Sequence, residues 1–146
     1  MKTLLVIEDG NEYEEFVRLF LSDAWSVRAS HSLAEARAVL AAEKVDAMLV
    51  DLRFTRSDED ELTGDAKALA ASLFAGDVEK AAKYVREQQG VLVLAALRED
   101  GHVQRAVFVT DFAPRRLANL RALYGDVAAV PSFDAAAVRA ALAGGA

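Results

Sequence analysis

Apolar and polar positions follow two rhythms along this chain. Short apolar runs rich in branched residues, "TLLVI" (3–7), "AMLVDL" (47–52), "AVFVT" (106–110) and "VAAVP" (127–131), are bounded by charged or turn residues. "WSVRAS" (25–30) alternates with a period of two. These five segments predict strands, the near-continuous ones covered on both faces. Between them the period becomes helical. "EYEEFVRLFL" puts Phe16, Leu19 and Phe20 on one face and Glu12, Glu14 and Glu15 near its start, where exposed backbone N–H groups carry partial positive charge. Ser32-Leu-Ala-Glu35 is a capping-box pattern opening an Ala-rich helix to about Glu43. Pro114 starts a helix carrying Leu117, Leu120 and Leu123, and Asp134 caps a last helix, "AAAVRAALA", ended by Gly144 and Gly145.

Strands alternating with helices indicate an α/β fold, a parallel sheet with helices on both faces. The region between Leu52 and Ala106 breaks the rhythm. "TGDAKALAASLFAGDVEKAAKYVREQQ" reads as helix interrupted at Gly76. "VLVLAALRE" (91–99) suits strand or helix and is assigned to helix, because Leu94 and Leu97 keep helical spacing. About residues 55–89 thus form a helical insertion after the third strand. Its apolar positions, Leu69, Leu73, Phe74, Ala81, Tyr84 and Val85, are spaced for packing on the domain and for a partner surface.

Composition narrows the function. The 146 residues fit a single domain, 1–146, and the balance of 53% hydrophobic and 27% charged residues is that of a globular protein. A formal net charge of -6 argues against non-specific binding to nucleic acid or to an anionic membrane. Without cysteine there is no disulfide framework and no thiolate metal site. The apolar part of "MKTLLVI" is too short for a secretory signal, and no segment is long enough to span a membrane. A cytoplasmic protein is expected.

Candidate chemistry gathers at strand ends. The first strand runs into Glu8 and Asp9, the third into Asp51, the fourth into Thr110. In a parallel sheet the carboxyl ends share one edge, where ligands collect. Three close carboxylates repel one another, and a divalent cation relieves that repulsion. Oxygen ligands with retained waters suit Mg²⁺, held weakly. An aspartate beside Mg²⁺ can attack phosphorus and form an acyl phosphate, with the Thr110 hydroxyl available to a phosphoryl oxygen. His31 and His102 have no ligand partner at recognisable spacing and are expected to be exposed. "SDEDE" (57–61) reads as a solvated loop, and Arg115, Arg116 and Arg121 as a solvated helix face. No glycine-rich phosphate loop and no Ser–His–Asp order is present. A flavodoxin-like cofactor binder would share the fold, but an anionic cofactor would meet Glu8 and Asp9.

In order and spacing these motifs resemble the receiver domain of two-component response regulators. "LLVIEDGNEYEEFVRLFL" is similar to that family's first strand, acidic pair and first helix. "VDAMLVDLRF" resembles its third strand with the phospho-accepting aspartate, "GVLVLAALREDGHVQRAVFVTDF" its third helix and fourth strand, and "VAAVPSFDAAAVRAAL" its fifth strand, proline and last helix. The resemblance implies a flavodoxin-like, five-stranded sheet of order 2-1-3-4-5. It also implies metal ligation by Glu8, Asp9, Asp51 and the carbonyl of Arg53, phosphoryl acceptance on Asp51, and a switch hydroxyl at Thr110. The implied partners are a histidine kinase or phosphotransfer protein and a downstream protein, with no direct nucleic acid and no membrane, and with self-association into a homodimer left open. Enzymatic activity would extend at most to self-phosphorylation and autodephosphorylation on Asp51. Two positions depart from the family pattern. Val130 stands where a lysine would pair with the phosphoryl group, and Val127 where an aromatic switch residue would stand. The alternative is therefore a degenerate receiver that binds proteins without phosphorylation. Arg53 would offer a compensating charge, although an exposed position is the commoner one for arginine.

Overall fold

The computed structural model describes residues 1–144. In chain order they form β1 (Lys2–Ile7), α1 (Glu12–Phe20), β2 (Trp25–Ser30), α2 (Leu33–Ala42), β3 (Ala47–Val50), a 3₁₀ turn (Glu59–Glu61), α3 (Ala66–Leu73), α4 (Val78–Glu87), α5 (Gln89–Glu99), β4 (Arg105–Val109), α6 (Pro114–Tyr124), β5 (Val127–Val130) and α7 (Ala135–Leu142). The five strands make one parallel sheet of order β2-β1-β3-β4-β5. This is the flavodoxin-like, doubly wound arrangement the motif order implies. No helix among the described residues is long and apolar enough to cross a membrane.

Alternate strand residues feed two separate cores, which is why the strands are apolar throughout. Leu5, Ile7, Met48, Val50, Ala106, Phe108 and Val127 pack beneath α2, α5 and α6. Leu4, Val6, Ala47, Leu49, Val107, Ala128 and Val130 pack beneath α1 and α7. Helix ends follow their capping chemistry. The Ser32 hydroxyl accepts from Glu35 N–H at 3.2 Å, and the carboxylates of Asp65, Asp77 and Asp134 cap α3, α4 and α7. Gly144, just past α7, takes a left-handed φ of 89°; Gly145 lies outside the described residues.

The structure corrects some sequence expectations. The buried stripe of α1 is Tyr13 and Val17, continued by Leu21 beyond the helix. Leu19 is 75% exposed, and at the rim Phe16 stacks with Phe20 on one side and Phe133 on the other. Tyr13 and Val17, four apart, face the sheet; of the Phe–Leu–Phe grouping only Phe16 touches that core, at its margin. Asp51, Thr110 and Pro131 each lie one residue beyond their strand rather than within it. The insertion forms the paired helices α3 and α4, broken at residues 74–77, where Ala75 and Gly76 both take positive φ. Ala70, Ala81 and Val85 are buried; Leu69, Phe74 and Tyr84 are half-buried, and Leu73 is exposed. The rings of Phe74, just past the end of α3, and Tyr84 of α4 lie 5.6 Å apart and join the two helices.

Candidate functional site

The order of connection reverses between β1 and β3, so the crevice beyond their carboxyl ends is where this sheet places ligands. Asp51 lies there. Its backbone N–H donates to the Ile7 carbonyl at 2.8 Å, extending the pairing with β1 by one residue and fixing the position of its Cα. The chain can leave β3 so closely because Gly90 begins α5 against it. Gly90 N–H donates to the Leu52 carbonyl at 2.9 Å, and a Cβ at Gly90 would overlap the Asp51 carbonyl oxygen.

The Asp51 carboxyl is half-buried. Its Oδ1 accepts from the Tyr13 hydroxyl at 3.4 Å, a long bond, and the carboxylate also accepts from the Arg53 N–H. Burial, then the nearby charge of Asp9, pushes its pKa from 3.8 to about 6, and Glu8 adds to the rise. The two hydrogen bonds oppose the shift without cancelling it. Burial and the Asp51 charge push the Tyr13 phenol up as well.

Glu8 has a different role from Asp9. It is 1% exposed, and both its oxygens are occupied: Oε1 accepts from Tyr13 N–H at 3.0 Å and Oε2 from Glu14 N–H at 2.9 Å. Asn11 makes no side-chain cap on α1, so Glu8 satisfies the first turn in its place. Burial raises its pKa despite these bonds. Asp9 is half-buried, and its Oδ2 accepts from Arg56 N–H at 2.6 Å. The Arg56 guanidinium crosses Gly10 to pair with Glu12, and chiefly through that hydrogen bond holds the Glu12 carboxyl down at about 2.

Thr110 sits one residue past β4, half-buried, and its carbonyl accepts from Phe112 N–H at 3.1 Å. Its hydroxyl makes no hydrogen bond to Asp51. Arg53 is exposed and reaches the site through its backbone. Val130 is 7% exposed within the core beneath α1 and α7, and Val127 is buried in the opposite core, so β5 brings no charge to the crevice. Beyond β5, Phe133 meets the Tyr13 ring edge-on at 4.8 Å. The two histidines are half-buried rather than exposed; His31 Nδ1 lies 3.0 Å from the Glu8 carbonyl oxygen and so braces the β1 terminus.

Among the described residues no three acidic or imidazole side chains are placed to hold a metal ion together. The engagement of Glu8 by α1 accounts for this. Asp9 and Asp51 remain as a like-charged pair that raises the Asp51 pKa, which is the condition a hard divalent cation relieves. Two carboxylates with waters fit Mg²⁺, which seldom takes an all-protein cage. Tyr13, Arg56 and Gly90 were not legible as site residues from sequence. Tyr13 carries a signal in the i, i+4, i+8 spacing Tyr13–Val17–Leu21; Arg56 and Gly90 act through a loop and a close backbone approach that leave none. A surface depression lined by Lys2, Trp25, Lys44 and Arg139 lies at the opposite edge of the sheet.

No protein-family model matches the sequence, and no curated protein matches it. Solved structures do match in fold. The chemotaxis protein CheY4 of Vibrio cholerae superposes with a TM-score of 0.67 at 14% identity, over 100% of this chain and 99% of that one. A sensor protein from Polaromonas sp. JS666 gives 0.64 at 19% identity, over 99% and 94%. A response regulator from Burkholderia pseudomallei, solved with a phosphorylated aspartic acid, a calcium ion and citrate, gives 0.62 at 19% identity; the match covers 97% of this chain and 66% of that protein. The fold is thus that of response-regulator receiver domains.

Proposed function

We propose that this domain is a signalling receiver that accepts a phosphoryl group on Asp51 from the phosphohistidine of a histidine kinase or phosphotransfer protein. One observation carries the reading: Asp51 stands at the switch point of a receiver-type sheet, half-buried and raised to about 6 beside Asp9. In the transfer an Asp51 carboxylate oxygen attacks phosphorus. The P–N bond of the donor breaks, its electron pair stays on the imidazole, and an acyl phosphate remains on the protein. Asp9, Asp51 and the carbonyl of Arg53 would hold Mg²⁺, which when bound neutralises charge on the phosphoryl oxygens. Glu8 keeps α1 and Asp9 in place rather than ligating. The Thr110 hydroxyl, free of Asp51, is available to a phosphoryl oxygen.

A second reading is a phosphorylation-independent protein-binding module, favoured by the buried, apolar Val130 at the end of β5. Acetyl phosphate with Mg²⁺ separates the two. The first reading expects one added phosphoryl group by intact mass, lost in Asp51→Asn. An unchanged mass at saturating acetyl phosphate, with Mg²⁺ binding shown separately, sinks it in favour of the second.

A further inference from the structure

We infer that Arg56 is the phosphoryl-binding residue of this site, the cation that meets the anionic oxygens of the group arriving on Asp51. The inference rests on the phospho-accepting reading above and assigns a role that neither the sequence motifs nor the strand ends supply. β5 ends in Val130, inside the core, and Arg53 reaches the crevice only through its backbone. Arg56 comes back to the crevice from the loop after β3. Its N–H is fixed 2.6 Å from Asp9 Oδ2, and its charge acts on Glu12, Asp9 and Asp51 together. Gly10 makes this approach possible: any Cβ there would collide with Arg56 Nη1 and Glu12 Oε2.

The guanidinium has donors to spare. Only Nη2 is engaged, by Glu12, among the described residues. A guanidinium carries five N–H donors in a fork that matches phosphoryl oxygens, so Nε and Nη1 remain for an incoming anion. The Glu12–Arg56 pair is solvent-exposed on both sides, at 51% and 58% of the side-chain surface, so a phosphoryl group can draw Arg56 away from Glu12 at small cost.

The loop is braced on both sides of Arg56 by the inserted helices. Phe54 N–H donates to the Arg86 carbonyl at 2.9 Å, and Arg86 Nη1 donates to the Ser57 carbonyl at 3.0 Å. Gln89, 1% exposed, clasps Thr63 in both directions: its Oε1 accepts from Thr63 N–H at 2.7 Å and its Nε2 donates to the Thr63 carbonyl at 2.9 Å. Residues 54–63 are thereby held to α4 and the start of α5, and Arg56 is presented at the crevice by the insertion.

The test follows Asp51 labelling by acetyl phosphate and Mg²⁺, by intact mass over time, in the wild type, Arg56→Gln, Arg56→Lys and Glu12→Gln. Losing a charge-assisted contact to the phosphoryl group is expected to slow labelling about ten- to a hundredfold in Arg56→Gln. Arg56→Lys should recover part of that loss, and Glu12→Gln should label at least as fast as the wild type. Mg²⁺ affinity, read from amide shifts at Asp9, should be unchanged or tighter in Arg56→Gln, because a competing cation has gone. A merely structural role would weaken it. If the wild type labels at Asp51 and Arg56→Gln labels at the same rate, the assignment to Arg56 is overturned while the phospho-accepting reading stands. If the wild type does not label, that reading fails and this one with it.

Discussion

Replacing Asp51 by Asn should stabilise the protein at neutral pH. The carboxyl moves from 3.8 to about 6 on folding, which at 1.36 kcal/mol per tenfold is about 3 kcal/mol of penalty on the charged form. Asp51 is only half-buried, so solvent screening brings this to about 1–2 kcal/mol. The sign follows from proton binding. Between pH 4 and 6 the folded state holds the Asp51 proton more tightly than the unfolded chain does, so this group's contribution to stability falls as pH rises through that window. Below about 4 the penalty is absent, and above 6 it is present in full. Asparagine keeps an oxygen that can accept from Tyr13 and from Arg53 N–H and carries no charge against Asp9. The gain for Asp51→Asn should therefore be about 1–2 kcal/mol at pH 7.5, a rise in Tm of about 3–8 °C for a chain of this size, and should vanish near pH 4. Urea melts of both proteins at pH 7.5 and pH 4 measure it. Saturating Mg²⁺ at pH 7.5 should narrow the gap by stabilising the wild type alone. A variant less stable than the wild type at pH 7.5, or equally favoured at both pH values, would refute the like-charge account of this site.

Other perturbations test the supports around the crevice. Gly90→Ala should destabilise by about 1–3 kcal/mol or more in a thermal melt, since its Cβ meets the Asp51 carbonyl and the Leu52 Cα, backbone atoms that cannot swing aside. Glu8→Ala should cost about 1–2 kcal/mol and loosen amide protection at Tyr13 and Glu14, whose N–H groups it caps. Gln89→Leu leaves the Thr63 N–H and carbonyl without their partner and should cost about 1–3 kcal/mol in urea melts, with amide shift changes reaching Arg56. On phosphorylation, amide shifts at Val127 and Val130 should be small relative to those at Arg56 and Ser57, because β5 carries no group that touches the crevice.

The sheet was legible because its physics is local. A strand buried on both faces must be apolar at every position, so "LLVI", "AMLV" and "AVFV" announce themselves, and Ser32 and Asp134 mark helix starts by the oxygen they present to N–H groups. The meeting of Asp9 and Asp51 follows from parallel strands sharing one edge. What stayed hidden depends on side-chain direction. Sequence places Glu8 and Asp9 side by side, but only the path into α1 shows that Glu8 turns back to cap the helix while Asp9 faces Arg56. The α1 stripe was obscured because Phe16, apolar enough for the core, lies only at its margin, where it stacks on Phe133 and on the exposed Phe20. Arg56 could not be found by pattern, since the loop that returns it is shaped by Arg86 and Gln89, about thirty residues away along the chain.

The apolar end of β5 and the helical insertion then bear on one question. A cation at the end of β5 would be fixed by sheet hydrogen bonds, and a phosphoryl group pulling on it would strain β5 and α7. Here that position is Val130, packed among Val107, Val138 and their neighbours, with nothing for the phosphoryl group to pull. A cation on the loop after β3 is fixed instead by Arg86 and Gln89, so a pull on Arg56 is felt by α4 and the start of α5. The outer side of the insertion exposes Leu73 and Val78, positions that no core requires. With Arg56 as the phosphoryl contact, the surface that senses the state of Asp51 shifts from the β5–α7 side of the domain to the insertion. The linkage runs both ways: whatever binds α3 and α4 and alters their grip on residues 54–63 must alter the affinity of the crevice for its anion by the same factor.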